Sequence, residues 1–292
     1  MIPIANPILK ELASAHYKAV REQLIIDGNF RKLSYWFKKH GSNISLKDAI
    51  MAPVPLLEQI ATNYSSAPGN DILKDMYNNL FSKSRKSIGL HKYTSAKLVE
   101  NLNIKVCPYC NRNHINNVPN GKTVKRTSQL DHFFNKRDYP YLAMSFFNLI
   151  PVCPSCNLLK HHYDISASPY DERINWEEAV RFNFGINSAD FLKDEKQVFV
   201  KVKFSTALQG NFKVLKLDKQ YEMHNDIVHE LLKKGVIYSP KKLEEIMRNH
   251  VGLFQSKEEM LRVIYGNQLE TEHLGKRPLS KLTSDIVSRM YF

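Results

Sequence analysis

Four short stretches decide how this chain reads: Cys107-Pro108-Tyr109-Cys110, Leu130-Asp131-His132, Asn148-Leu149, and Cys153-Pro154-Ser155-Cys156-Asn157-Leu158-Leu159-Lys160-His161. The chain has 4 cysteines, and all of them fall in these two C-x-x-C pairs. Two such knuckles across a moderate loop supply the four thiolates that tetrahedral Zn²⁺ takes in a closed structural site. A redox C-x-x-C is the competing reading, but two of them bracketing an Asp-His pair make an odd redox design. What lies between the knuckles adds chemistry that a plain zinc ribbon lacks. An imidazole titrating near neutral pH, beside a carboxylate and close to amides and a lysine, suits metal-dependent phosphodiester hydrolysis.

Working outward, the charge supports a polyanionic partner. The 292 residues carry 42 Lys+Arg and 29 Asp+Glu, a formal net charge of +13 with a pI near 9.4. Basic density peaks on the motif segment: residues 101–164 hold 8 Lys+Arg against 3 Asp+Glu, whereas residues 165–292 hold 20 against 18. The last part therefore reads as scaffold or protein-docking surface. Hydrophobic content of 43% is ample for a packed core. No run approaches the roughly 18 apolar residues of a membrane span, and no polybasic amphipathic segment stands out. Met1 to Pro7 lacks a charged, apolar leader pattern, so a cytoplasmic chain with reduced thiols is expected.

Periodicity predicts helices over most of residues 1–100. Pro7 opens the first, with Ile8, Leu9, Leu12, Ala15, Ala19 and Val20 at helical spacing, and Asp27-Gly28-Asn29 ends it. Residues 30–39 give a basic-aromatic helix with Leu33, Trp36 and Phe37 inward. Ser45 with Asp48 forms a capping box, Pro53-Val54-Pro55 breaks, and Asn70 and Thr94 cap further helices. Residues 82–87 read as a solvated basic loop. Residues 111–117 and 122–126 flank the turn Pro119-Asn120-Gly121, and residues 128–134 are extended. A helix is expected to start inside the second knuckle, at Pro154. Residues 165–187 are poorly patterned. Residues 197–204 alternate as a strand, with 211–217 as its hairpin partner, and helices follow over 218–235, 240–254, 256–266 and 278–290.

The central motifs resemble the HNH (ββα-metal) endonuclease superfamily in its zinc-knuckle form. The likeness covers about 60 residues, with five elements in order. The longer pattern Leu130-Asp131-His132-Phe133-Phe134, Tyr139-Pro140, Asn148 to Cys153 and Asn157 to Lys160 is also similar to HNH proteins encoded beside ATPases in bacterial antiphage systems, such as Septu-type pairs. The resemblance implies an α+β protein: an HNH module at 101–165 with a four-cysteine zinc site, between an N-terminal helical region (1–100) and a C-terminal hairpin-plus-helices region (166–292). It implies that Asp131 ligates a catalytic divalent ion, Mg²⁺ or Mn²⁺, with Asn157 as second ligand and His161 as a candidate third. His132 would be the general base, Asn148 would pin the loop that aims it, and Lys160 would contact phosphate. Lys125-Arg126 and Lys136-Arg137 flank the Asp-His strand and are candidates for gripping the backbone. Tyr139 and Tyr141 read as packing residues. DNA is the expected substrate and an ATPase subunit the expected partner. The alternatives are an effector cleaving RNA such as tRNA, and a zinc-stapled nucleic-acid-binding subunit without catalysis.

Overall fold

The structure is a computed structural model that describes residues 1–40, 44–64, 69–83, 86–121 and 123–291. Ser84 and Arg85 of the expected basic loop, and Lys122 of the expected hairpin, lie outside the described residues. The first part is helical: α1 (Leu9–Ile26), α2 (Phe30–His40), α3 (Leu46–Met51), α4 (Val54–Asn63), α5 (Ile72–Met76) continuing as a π-helical turn (Tyr77–Phe81), and α6 (Ser95–Leu102). The expected caps form. The Ser45 and Asp48 side chains reciprocally bond each other's backbone N–H, and Thr94 accepts from the Lys97 N–H. Leu33 and Phe37 are fully buried, and Trp36 packs on Tyr64 and Tyr141.

Three two-stranded antiparallel sheets follow. β1 (Asn117–Asn120) pairs with β2 (Thr123–Arg126), and β3 (Gln129–His132) pairs with β4 (Leu149–Val152), with Asp131 opposite Ile150 and His132 opposite Leu149. The first hairpin sits further along the chain than expected, since Pro119 and Asn120 lie in β1 and the reversal follows Asn120. Two short helices come next, α7 (Pro154–Lys160) and α8 (Trp176–Ala179). The third sheet joins β5 (Val180–Ile186) to β6 (Val198–Phe204).

That pairing corrects the expected hairpin. Residues 211–217 are not the partner of β6: they run through the helix α9 (Gln209–Leu215) into α10 (Leu217–Glu222), with Lys216 left-handed between them. Leu208, Phe212 and Leu215 bury one helical face. The true partner, Val180-Arg181-Phe182-Asn183-Phe184-Gly185-Ile186, alternates in period 2 within the segment that seemed unpatterned. The chain ends in α11 (Asn225–Ile237), α12 (Pro240–Asn249), α13 (Lys257–Tyr265) and α14 (Ser280–Tyr291).

One apolar core links all of this, running from Met1 to Val287. Both flanks grip the central segment. From the N-terminal side, the His16 ring bonds the Met144 carbonyl (2.8 Å) and Ser145 donates to the Ala49 carbonyl (2.7 Å). From the C-terminal side, Tyr221 donates to the Cys110 carbonyl (2.6 Å) and Asn111 exchanges bonds with Leu274 and Lys281. The architecture is α+β, and among the described residues no helix is long and apolar enough to cross a membrane.

Candidate functional site

Cys107, Cys110, Cys153 and Cys156 come together although the inner pair lies 43 positions apart in the chain. The first knuckle turns through Cys107–Cys110 and is held by Asn111, buried at φ +50. The second starts α7, with Cys153 as its N-cap. All four sulfurs lie within 4.8 Å of one another and are buried. The Cys110–Cys153 sulfur separation is 3.9 Å. Four sulfurs about 2.3 Å from a tetrahedral centre sit about 3.8 Å apart, so the cluster has the size of a Zn²⁺ site. Sulfur-directed donors surround it: Arg112 N–H on Cys110 (3.4 Å), Asn113 Nδ2 on Cys153 (3.3 Å) and Cys156 N–H on Cys153 (3.5 Å). Burial and neighbouring thiols push the Cys107 thiol well up, so a thiolate there calls for a compensating cation. The four cysteines could therefore hold a metal ion such as zinc. They are the single grouping of three or more His, Cys, Asp or Glu ligands among the described residues.

β3 carries Asp131 and His132 away from this cluster into different surroundings. The buried His132 ring meets the edge of Tyr77 at 4.4 Å, and its Nε2 lies 3.0 Å from the Ala143 carbonyl. A carbonyl only accepts, so Nε2 carries the hydrogen and Nδ1 keeps its lone pair. Burial, then the Lys136 charge, lowers the His132 pKa to about 3, so the ring is neutral at pH 7 but does not titrate near neutrality as the sequence led us to expect. Asn148 fixes the loop bearing Ala143: its Oδ1 accepts from Phe134 N–H (2.7 Å), and its Nδ2 donates to the Phe134 (3.1 Å) and Leu142 (2.9 Å) carbonyls.

Asp131 is held from two sides. Tyr109, inside the first knuckle, donates to Oδ2 at 2.6 Å, and Lys160 Nζ lies 3.2 Å from Oδ1. Lys160 also donates to the His132 carbonyl at 2.9 Å and is 0% exposed. This corrects the expectation for Lys160. It sits on the inner face at the end of α7, where the buried carboxylate demands a counter-charge, and it offers nothing to a phosphate in solvent. Burial raises the Asp131 pKa, with the Lys160 charge and the Tyr109 hydroxyl opposing it.

A cleft of about 640 Å³ opens over these groups, lined by Asp131, His132, Gln129, Asn157 and His161 and rimmed by Lys74, Lys136 and Arg137. Half-buried Asn157 donates to Gln129 (2.6 Å), which leaves its Oδ1 free of hydrogen bonds. His161 lies beyond the helix end at φ +46, exposed and against His162, so it does not continue the helical face of Asn157. Lys125 and Arg126 are not in the cleft wall. Lys125 is exposed on β2, and Arg126 is half-buried with one Nη unpartnered. The Asp131 carboxylate is met by Tyr109, by Lys160 and by the His132 backbone N–H. Asp131 and Asn157 both line this cleft, and each carries side-chain oxygen, the donor type that a hard divalent ion prefers.

Sequence reasoning missed Tyr109, Tyr77, Lys74 and Gln129. Tyr109 had a signal, its place within the first knuckle; the others come from folding. No family model matches the chain, and searches of curated proteins and of solved structures return no match.

Proposed function

We propose that this chain is a zinc-stapled, metal-dependent HNH (ββα-metal) endonuclease that hydrolyses DNA phosphodiester bonds in the bacterial cytoplasm. Its physiological setting is antiphage defence beside an ATPase partner. The observation that carries the reading is His132: a neutral imidazole held by the Ala143 carbonyl through Nε2, with a free Nδ1, beside Asp131 in a cleft rimmed by cations. His16 gives the contrast, since its Nε2 also meets a carbonyl but its Nδ1 is sealed and unpartnered. His16 is structural, whereas His132 reaches the cleft.

In the proposed reaction, His132 Nδ1 takes a proton from a water, that water forms the new P–O bond, and the opposite ester P–O bond breaks. A divalent ion held by Asp131 and Asn157 would supply positive charge for the leaving oxygen. Lys136 and Arg137, and Lys74 beside them, would hold the flanking phosphates. Zinc in the four-cysteine centre would fix Tyr109 and the start of α7. The stretch 221–232 is largely buried, with Tyr221, Val228, Leu231 and Leu232 inside, so the surface we assign to the ATPase narrows to the end of α11 and the segment through α12, where Val236, Ile237, Val251 and Leu253 are exposed.

The test is plasmid cleavage with Mg²⁺ or Mn²⁺, comparing wild type with His132→Ala after confirming zinc in both, with tRNA digested in parallel. Loss of a general base is expected to cost about 10²–10⁴ in rate. Equal cleavage by both proteins, or none on either substrate with the ATPase present, would overturn the proposal.

A further inference from the structure

The near-neutral charge of the last 128 residues conceals a segregated basic face on the β5–β6 hairpin. Arg181 stands directly opposite Lys203, and Asn183 directly opposite Lys201. These four share one face of the ribbon, since side chains alternate, and Phe182 and Val202 belong to the other. Like charges directly across a ladder are unfavourable, and little relieves this pair. Among the described residues Arg181 pairs only with Glu178, 3.9 Å away with both side chains exposed, and Lys203 makes no ion pair. α14 walls the same cleft, of about 600 Å³, and adds Ser288 and Arg289, which is exposed and makes no ion pair among the described residues. The cleft's carboxylates are already engaged: Asp285 takes Lys281 (2.7 Å) and the Phe182 N–H (2.8 Å), and Glu177 takes the Thr271 hydroxyl (2.7 Å). This cleft shares no lining residue with the one over His132.

We propose that this groove is a second nucleic-acid contact, binding the phosphodiester backbone through Arg181, Lys203 and Arg289; the inference rests on the nuclease reading and extends it. Lys201 lies outside the groove lining, over the Phe199 ring, but continues the basic row two residues from Lys203 on the same strand, a stride of about 6.8 Å. Cations repeated along a ribbon suit a chain of phosphates better than one compact anion. Contacts of this kind position without reading sequence. They would hold substrate that the His132 cleft alone releases.

The experiment measures fluorescence anisotropy of labelled DNA on zinc-loaded His132→Ala protein, so that nothing is cleaved, across a salt series. Arg181→Gln with Lys203→Gln is compared with Lys38→Gln with Lys39→Gln on α2, both exposed and outside either cleft. The hairpin pair should lower the slope of log affinity against log salt by about 2, at about 0.9 per phosphate contact, and weaken low-salt binding about tenfold or more. The α2 pair should change neither. Equal slopes in the hairpin variant and its parent, equal losses in the two double variants, or a parent that binds no DNA would each overturn the proposal. So would ATP binding lost in the hairpin variant without a change in DNA slope. Failure of the nuclease reading shows separately, as absence of His132-dependent cleavage by wild type.

Discussion

Replacing Lys160 with Met separates what the motif suggests from what the fold does with it. A phosphate-facing lysine could be lost with little effect on stability. The Lys160 of this fold is 0% exposed and sits 3.2 Å from a carboxylate that is itself buried. Methionine has similar length and fills the space, so the main loss is the counter-charge. Stranding a buried charge costs about 3–5 kcal/mol, although Tyr109 still donates to Asp131. For 292 residues, unfolding entropy of about 2.1 cal/mol/K per residue converts this into a Tm lower by about 5–8 °C. Calorimetry of zinc-loaded Lys160→Met, Asp131→Asn and the double variant tests this. The double variant should recover part of the loss, with coupling of about 2 kcal/mol or more, because it removes both charges together. A Lys160→Met protein melting within about 1 °C of wild type, yet binding DNA more weakly, would refute the buried pair and restore the phosphate role.

Cys153→Ala removes a ligand and the N-cap of α7 together, so the chain should lose its zinc by elemental analysis and become protease-sensitive around both knuckles. Tyr109→Phe keeps the packing but deletes the 2.6 Å bond to Asp131; Mn²⁺ affinity by electron paramagnetic resonance should weaken about 10–100-fold with zinc retained. Acid should destabilise the fold, because burial lowers the pKa of His16 to about 4 and of His132 to about 3. Below the usual 6.5 the unfolded chain takes up protons that the folded chain refuses, so the stability present above that pH falls as pH falls. At pH 5 each ring costs about 2 kcal/mol, and His16→Gln should remove about that much of the urea-measured loss between pH 7 and pH 5.

Local signals carried most of what the sequence made legible. The helix caps at Ser45 and Thr94, the strand at residues 198–204 and the four-cysteine cluster all follow from chemistry within a few residues or from ligand spacing. The β5–β6 pairing was harder. Val180, Phe182, Phe184 and Ile186 alternate, but tertiary contact decides whether a short alternating run pairs, and residues 211–217 offered a nearer partner. The site divides the same way. Asn148 was legible because a loop-fixing amide depends on its neighbours. The inward turn of Lys160 was not, because it depends on how deeply Asp131 is buried after α7 docks. Tyr77 reaches His132 through the π-helical turn after α5, a backbone irregularity no spacing rule reveals.

The β3–β4 register has a consequence for chain length. With Asp131 opposite Ile150 and His132 opposite Leu149, a slip of one residue would turn each side chain to the other face. Asn148 closes the intervening loop by bonding both backbone groups of Phe134 and the Leu142 carbonyl, and residues 140–150 are buried throughout. An insertion within 140–148 must therefore break that clasp or shift the ladder. The β1–β2 tip is exposed at Asn120 and Gly121. Length variation and grafted peptides belong at that exposed tip, while the stretch from Pro140 to Asn148 behaves as a fixed ruler.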